Sequence, residues 1–290
     1  MKYGLYPGCS YEGTAREFGE SVDAVCNILD LDVEELKDWI CCGASSAHNT
    51  SHLLATALPL YTLVSARKAG FKKLLAPCIA CAWRLKTAIK EIKEDEKLRL
   101  KAEGVVGRKF EGGTEVFNIV EFFTEEVGLK KIEKAVKKPL KGLKVVCYYG
   151  CMLTRPPKVA DFDVPEDPQS VDNIMRVLGA ESLDWPYKTE CCGVSFALSR
   201  TDVVIKLCHD LLEEIKKLGV DMIVVACSLC QTNLDMRQKE IEKKYNTKYG
   251  IPIVYFTQLM GLALGAGSED IGLRRLIVDP SPILKKKGIL

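Results

Sequence analysis

Ten of the thirteen cysteines in this chain fall into two matching sets of five, and nothing else in the sequence constrains it as strongly. The first set is Cys9, then Cys41-Cys42-Gly43, then Cys78-Ile79-Ala80-Cys81. The second is Cys151, then Cys191-Cys192-Gly193, then Cys227-Ser228-Leu229-Cys230. The gaps are 31, 35 and 2 residues in the first set and 39, 34 and 2 in the second. The likeness extends beyond the thiols. Ile253-Val254-Tyr255-Phe256-Thr257-Gln258-Leu259-Met260 echoes Val116-Phe117-Asn118-Ile119-Val120-Glu121-Phe122-Phe123, so the whole half is repeated and not just its thiols.

An odd number of cysteines, in a chain of 290 residues that needs no staples, argues against a secreted disulfide framework. The stretch from Met1 to Cys9 lacks a signal-peptide core, and no run of about 18 apolar residues is present to span a membrane. A net charge of only +2 gives no reason to expect nucleic acid as partner. The expected setting is a reducing cytoplasm, where spaced cysteines usually mean metal.

Apolar patterning places these thiols on a recurring plan. Short strands are expected at 3–7, 72–76, 143–149 and 220–226, with extended stretches at 31–40 and 181–187. Helices are expected at about 13–30, 48–69, 80–101, 115–126, 169–178, 202–218 and 229–244. Strand and helix alternate, which predicts two homologous α/β domains at 1–135 and 136–275, with a tail at 276–290 that is either frayed or a docking arm. The lysine-rich stretch 130–144 reads as the solvated connector between them. Every repeated cysteine then falls where a strand ends or a helix begins, the edge at which open α/β sheets bind ligands. Helix N-termini there offer free N–H groups to thiolates and anionic clusters.

Three readings of the ten thiols stay open on spacing alone. Structural zinc takes four ligands from close pairs, but each set here has five. Redox disulfides would account for each Cys-x-x-Cys and leave three further cysteines per half unexplained. Iron–sulfur clusters held by thiolates from scattered loops use the set most fully, although five exceed the four of an ordinary cubane. Cys26, Cys147 and Cys208 lie on apolar patterns and read as packing.

The doubled pattern Cys…Cys-Cys-Gly…Cys-x-x-Cys resembles the cysteine-rich domain family of the heterodisulfide reductase B subunits from methanogenic archaea. Relatives occur in fused B/C-type subunits, in thiol:fumarate reductase, and in glycolate and lactate oxidation complexes. All ten family positions are filled here, over about residues 3–265, without the ferredoxin-type cysteine run of fused members, as in a free-standing B-type chain. The resemblance implies one non-cubane [4Fe–4S] cluster in each half, ligated by Cys9, Cys41, Cys42, Cys78 and Cys81 and by Cys151, Cys191, Cys192, Cys227 and Cys230, with zinc as an alternative in one site. It also implies a CoB–CoM heterodisulfide reductase, an oxidoreductase that reduces the mixed disulfide of coenzyme M and coenzyme B to two thiols. Electrons would come from the ferredoxin-type iron–sulfur C subunit of such a complex and from its flavin-bearing A subunit. The chemistry asks for two electrons and two protons. Two one-electron sites flanking one S–S bond across a cleft, with the halves packed about a pseudo-twofold axis, would meet that need.

A few unrepeated residues are candidates for the rest of the site. His48 and His52 are four apart on an expected helix and could supply protons, against the plain reading as capping or surface residues. Arg84 and Arg200 lie near the cysteine loops and could bind an anionic substrate, against the plain reading as surface ion pairs; Arg16 and Arg155 follow Cys9 and Cys151. The competing functions are a related subunit that serves another substrate, such as fumarate or a hydroxy acid, and a non-catalytic electron-relay or zinc scaffold.

Overall fold

A computed structural model of the chain describes residues 2–44 and 47–290. It contains two four-stranded parallel sheets. The first is built from β1 (Tyr3–Leu5), β2 (Val33–Glu35), β3 (Lys73–Ala76) and β4 (Glu115–Asn118) in the order β2-β1-β3-β4. The second uses β5 (Lys144–Tyr148), β6 (Glu181–Leu183), β7 (Met222–Val225) and β8 (Ile253–Tyr255) in the order β6-β5-β7-β8. The register repeats with the order: Gly4 faces Leu74 and Leu5 faces Leu75, while Val145 faces Met222 and Val146 faces Ile223. The central strands are continuous apolar runs because helices cover both faces of a parallel sheet.

The main helices are α1 (Arg16–Ile28), α2 (His52–Lys68), α3 (Ile79–Glu94), α4 (Ser170–Val177), α5 (Thr201–Leu218), α6 (Ser228–Met236) and α7 (Phe256–Leu264). Their limits follow from local chemistry. The Ser51 hydroxyl caps α2 by accepting the Leu54 N–H at 3.4 Å. Gly219, at φ +63°, ends α5 in the left-handed conformation.

Four expectations change. Glu115–Asn118, expected to be helical, is the fourth strand, and its counterpart β8 likewise runs straight into a helix. The helix expected over 48–69 is broken. His48 lies in a short helix, Ala47–Thr50, and Ser51 is extended, so His48 and His52 do not share one helical face. The lysine-rich connector is partly structured, with a helix at Leu129–Ala135 and fully buried Ile132 and Leu140. The tail folds back, burying Leu284 and Ile289, and Asp235 accepts the Ile277 and Val278 N–H groups at 2.8 and 3.0 Å.

The two halves share one core. Phe18 of α1 stacks on Tyr255 with ring centroids 4.5 Å apart, Phe123 meets Phe256 edge-on, and the buried Ser21 and Thr257 hydroxyls are 2.7 Å apart. The packing is reciprocal. Helix α1 of the first half lies on α7 of the second, while α4, the counterpart of α1, lies on the Ile119–Glu121 and Leu129–Ala135 segments of the first half. Contacts exchanged in this way are what self-complementary association of two equivalent units produces.

Candidate metal centre

Each sheet delivers its cysteines from the same three strand ends. Cys9 follows β1, Cys41 and Cys42 follow β2, and Cys78 follows β3; Cys151, Cys191, Cys192 and Cys227 follow β5, β6 and β7. Cys81 and Cys230 lie in the first turns of α3 and α6. In a β2-β1-β3-β4 sheet the connections reverse direction between β1 and β3, which opens a crevice at the carboxyl edge. The thiols line that crevice twice.

Side chains just before the cysteines set the loops. Tyr6 and Tyr148 are buried, and their hydroxyls donate to the carbonyls of Ile40 and Glu190 at 2.9 and 2.6 Å, each immediately before a Cys-Cys pair. Gly8 and Gly150 sit at φ +65° and +64°, and a Cβ on either would come within 3.0 Å of the Cys81 or Cys230 sulfur. Only glycine satisfies both the backbone and that approach. Sequence reasoning misses these four residues, although Tyr-x-Gly-Cys precedes each set and is a signal for them.

The sulfurs converge. Cys42 and Cys81 are 3.3 Å apart, Cys192 and Cys230 3.6 Å, and Cys151 and Cys191 4.0 Å. Two thiolates held at about 2.3 Å by one tetrahedral metal stand about 3.8 Å apart, so these spacings fit shared metal ligation. All thirteen cysteines are free thiols. Among the described residues no three His, Cys, Asp or Glu side chains gather around a point suited to a single ion; the sulfurs meet in pairs. Both sets are graded in depth. Cys42, Cys78 and Cys81, like Cys192, Cys227 and Cys230, are buried; Cys9, Cys41 and Cys191 are exposed and Cys151 is half-buried.

Electrostatics favour thiolates inside. Hydrogen bonds from Cys41 and Cys81 pull Cys42 down against its burial, and the Cys81 thiol pulls Cys78 down to about 7. Cys192 is lowered by the Cys230 thiol and Cys191 by the Cys151 thiol, while Cys41, Cys81, Cys151 and Cys230 are raised as the donors. The Gly43 and Gly193 N–H groups point at the Cys41 and Cys191 sulfurs at 3.5 and 3.3 Å. Metals bind the thiolate form.

The two sets adjoin. The Ser228 hydroxyl lies 3.8 Å from the Cys78 sulfur, and Ser228 directly follows Cys227. Among the described residues the Tyr255 hydroxyl is fully buried without a partner; burial, then Glu17 and the Cys227 and Cys78 thiols, push it well up. A small hollow between the halves is lined by Ile79, Trp83, Lys86, Met152 and Ala160, and the buried Trp83 Nε1 has no partner among the described residues.

The remaining candidates scatter. His48 is exposed, and His52, also exposed, points its Nε2 at Glu91 Oε1, 3.2 Å away. Arg200 is an exposed partner of Asp202. Arg84 is buried and donates to the Ala55 carbonyl, and its Nε has no partner among the described residues. Arg155 reaches Thr189 and Arg16 pairs with Glu20. Cys26, Cys147 and Cys208 are buried outside the sulfur pairs, and Cys208 donates to the Cys192 carbonyl at 3.5 Å.

The chain is 30% identical over 291 residues to the B subunit of the ferredoxin:CoB-CoM heterodisulfide reductase of Methanosarcina mazei, covering 98% of this chain and 96% of that one. It is 28% identical over 283 residues to the 8-methylmenaquinol:fumarate reductase membrane anchor subunit of Wolinella succinogenes, covering 97% of this chain and 99% of the relative. A solved structure of a hypothetical protein from Helicobacter pylori superposes with a TM-score of 0.76 at 11% identity, which shows a common fold; the match covers 96% of this chain and 52% of that one. The Cysteine-rich domain family, CCG, matches twice, at residues 3–86 and 145–235, and the chain belongs to that family.

Proposed function

We propose that this chain is the disulfide-reducing subunit of a heterodisulfide reductase complex, with one non-cubane [4Fe–4S] cluster held by each five-cysteine set. The observation that carries the reading is the junction of two complete thiol sets at Cys78 and Ser228. Such clusters, when bound, supply one electron each. Cleaving R–S–S–R′ takes two electrons and two protons and yields RSH and R′SH, so adjoining one-electron sites match the demand. The buried cysteines would hold the inner side of each cluster and the more exposed ones its outer side. The exposed His48 is the proposed proton donor. His52 is a weaker candidate because Glu91 engages it.

Nothing in the chain resembles a flavin or nicotinamide motif, so electrons are proposed to come from a ferredoxin-type partner and a flavin-bearing partner, in a reducing cytoplasm. Among the described residues no helix is long and apolar enough to cross a membrane. A second reading, a subunit serving fumarate reduction, is favoured by the full-length match to the Wolinella succinogenes protein. Anaerobically purified protein should reduce the coenzyme M–coenzyme B disulfide with reduced viologen as donor. Turnover with fumarate and none with the disulfide would favour the second reading; zinc without sulfide would contradict both.

A further inference from the structure

The two sets are alike in their sulfurs and unlike in one charge. Position three after the last cysteine is Arg84 in α3 and Asn233 in α6, nearly one helical turn along and on the same face as that cysteine. Asn233 shows where this position points: its Nδ2 donates to the Cys192 carbonyl at 3.2 Å and lies 3.7 Å from the Cys192 sulfur. Arg84 holds the equivalent helix position in the first half, and the Cys42 thiolate acts on its charge. It is 5% exposed, and among the described residues its hydrogen bond goes to the neutral Ala55 carbonyl and its Nε has no partner. A guanidinium keeps its charge in such a place. Glu91, the acid that acts on the Arg84 charge, accepts from Thr56 at 2.9 Å and lies 3.2 Å from His52.

The second half has its own cation, Arg237, one turn farther along, where the first half has Ala88. It reaches Asn233 Oδ1 at 3.4 Å but also pairs with Glu240 at 3.4 Å near the surface. A partly solvated, paired charge is screened, whereas a buried charge beside the ligands is not. A cluster becomes more negative on reduction, so a fixed cation stabilises its reduced form.

We propose that the two cluster sites are electrostatically unequal, and that Arg84, a positioning residue acting through Cys42, sets the first-half site at the higher reduction potential. An electron shared between the sites then resides in the first half. This rests on the reading that both sets hold clusters.

Anaerobic redox titration of the full chain, followed by electron paramagnetic resonance, tests it. The wild-type protein should titrate in two steps separated by at least tenfold in equilibrium constant, about 59 mV for one electron. Cys192→Ser should keep the upper step and Cys42→Ser the lower. Arg84→Gln should move only the upper step down, by about tenfold or more, and Arg84→Lys should restore most of it. If Arg84→Gln loses its cluster, Asn233→Lys decides, because it should lift the lower step toward the upper. A single wild-type step, the reverse assignment, or equal movement of both steps would overturn the proposal while leaving two clusters in place. A chain with neither iron nor sulfide would instead remove the functional reading on which it rests.

Discussion

Tyr6 and Gly8, with their counterparts Tyr148 and Gly150, do as much for the thiols as the cysteines' own spacing. The Tyr6 hydroxyl fixes the carbonyl before Cys41, so Tyr6→Phe should cost about 1 kcal/mol in denaturant unfolding, with the fold retained. Gly8→Ala should cost more. The left-handed backbone alone disfavours alanine by about 1–2 kcal/mol, and the new Cβ pushes on Cys81, so bound iron per chain should fall as well. Unchanged iron in Gly8→Ala would show that Cys81 tolerates displacement. Cys208→Ala should leave metal content intact and lower stability by about 1 kcal/mol, since Cys208 meets only a carbonyl at 3.5 Å. The ten repeated thiols stand out in the sequence because repetition marks them. Asn233 and Ser228 do not, because their importance comes from what faces them across a helix or across the two halves.

At the scale of elements, the parallel sheets and the strands that deliver the cysteines are legible as apolar runs before each set. Strands β4 and β8 are not, since four or three residues running directly into a helix carry no period of their own. The break at Ser51 is equally hidden, because capping competes with the helical pattern on both sides. Glu126 anchors the starts of the first sheet's two central strands, β1 and β3. Burial alone would raise its carboxyl, but hydrogen bonds from Lys73 and Tyr3, at 2.5 and 2.9 Å, outweigh it and hold it below its ordinary value near 4.5. A carboxylate lowered in the folded state contributes stability above the unfolded value and loses it as pH falls through the folded one. The Glu126 contribution should therefore be lost below about pH 4.5, and Glu126→Gln should lower the unfolding midpoint at neutral pH more than at acid pH. An identical acid slope in the variant would assign the sensitivity elsewhere.

Across the whole molecule, duplication is visible in the sequence, but the merging of two halves into one core is not. The contacts that join them, such as Phe18 on Tyr255 and Ser21 on Thr257, link residues more than 200 positions apart. The tail's return to the body is hidden for the same reason: Asp235, which receives it, lies in the second half's Cys-x-x-Cys helix. The two thiol sets are homologous, and each is proposed to be filled separately. Iron and acid-labile sulfide, counted per chain in anaerobically prepared wild type, Cys42→Ser and Cys192→Ser, test it most directly. About eight irons are expected in the wild type and about four in each variant, with matching loss of sulfide. Full iron in either variant, or zinc without sulfide in the wild type, would contradict it.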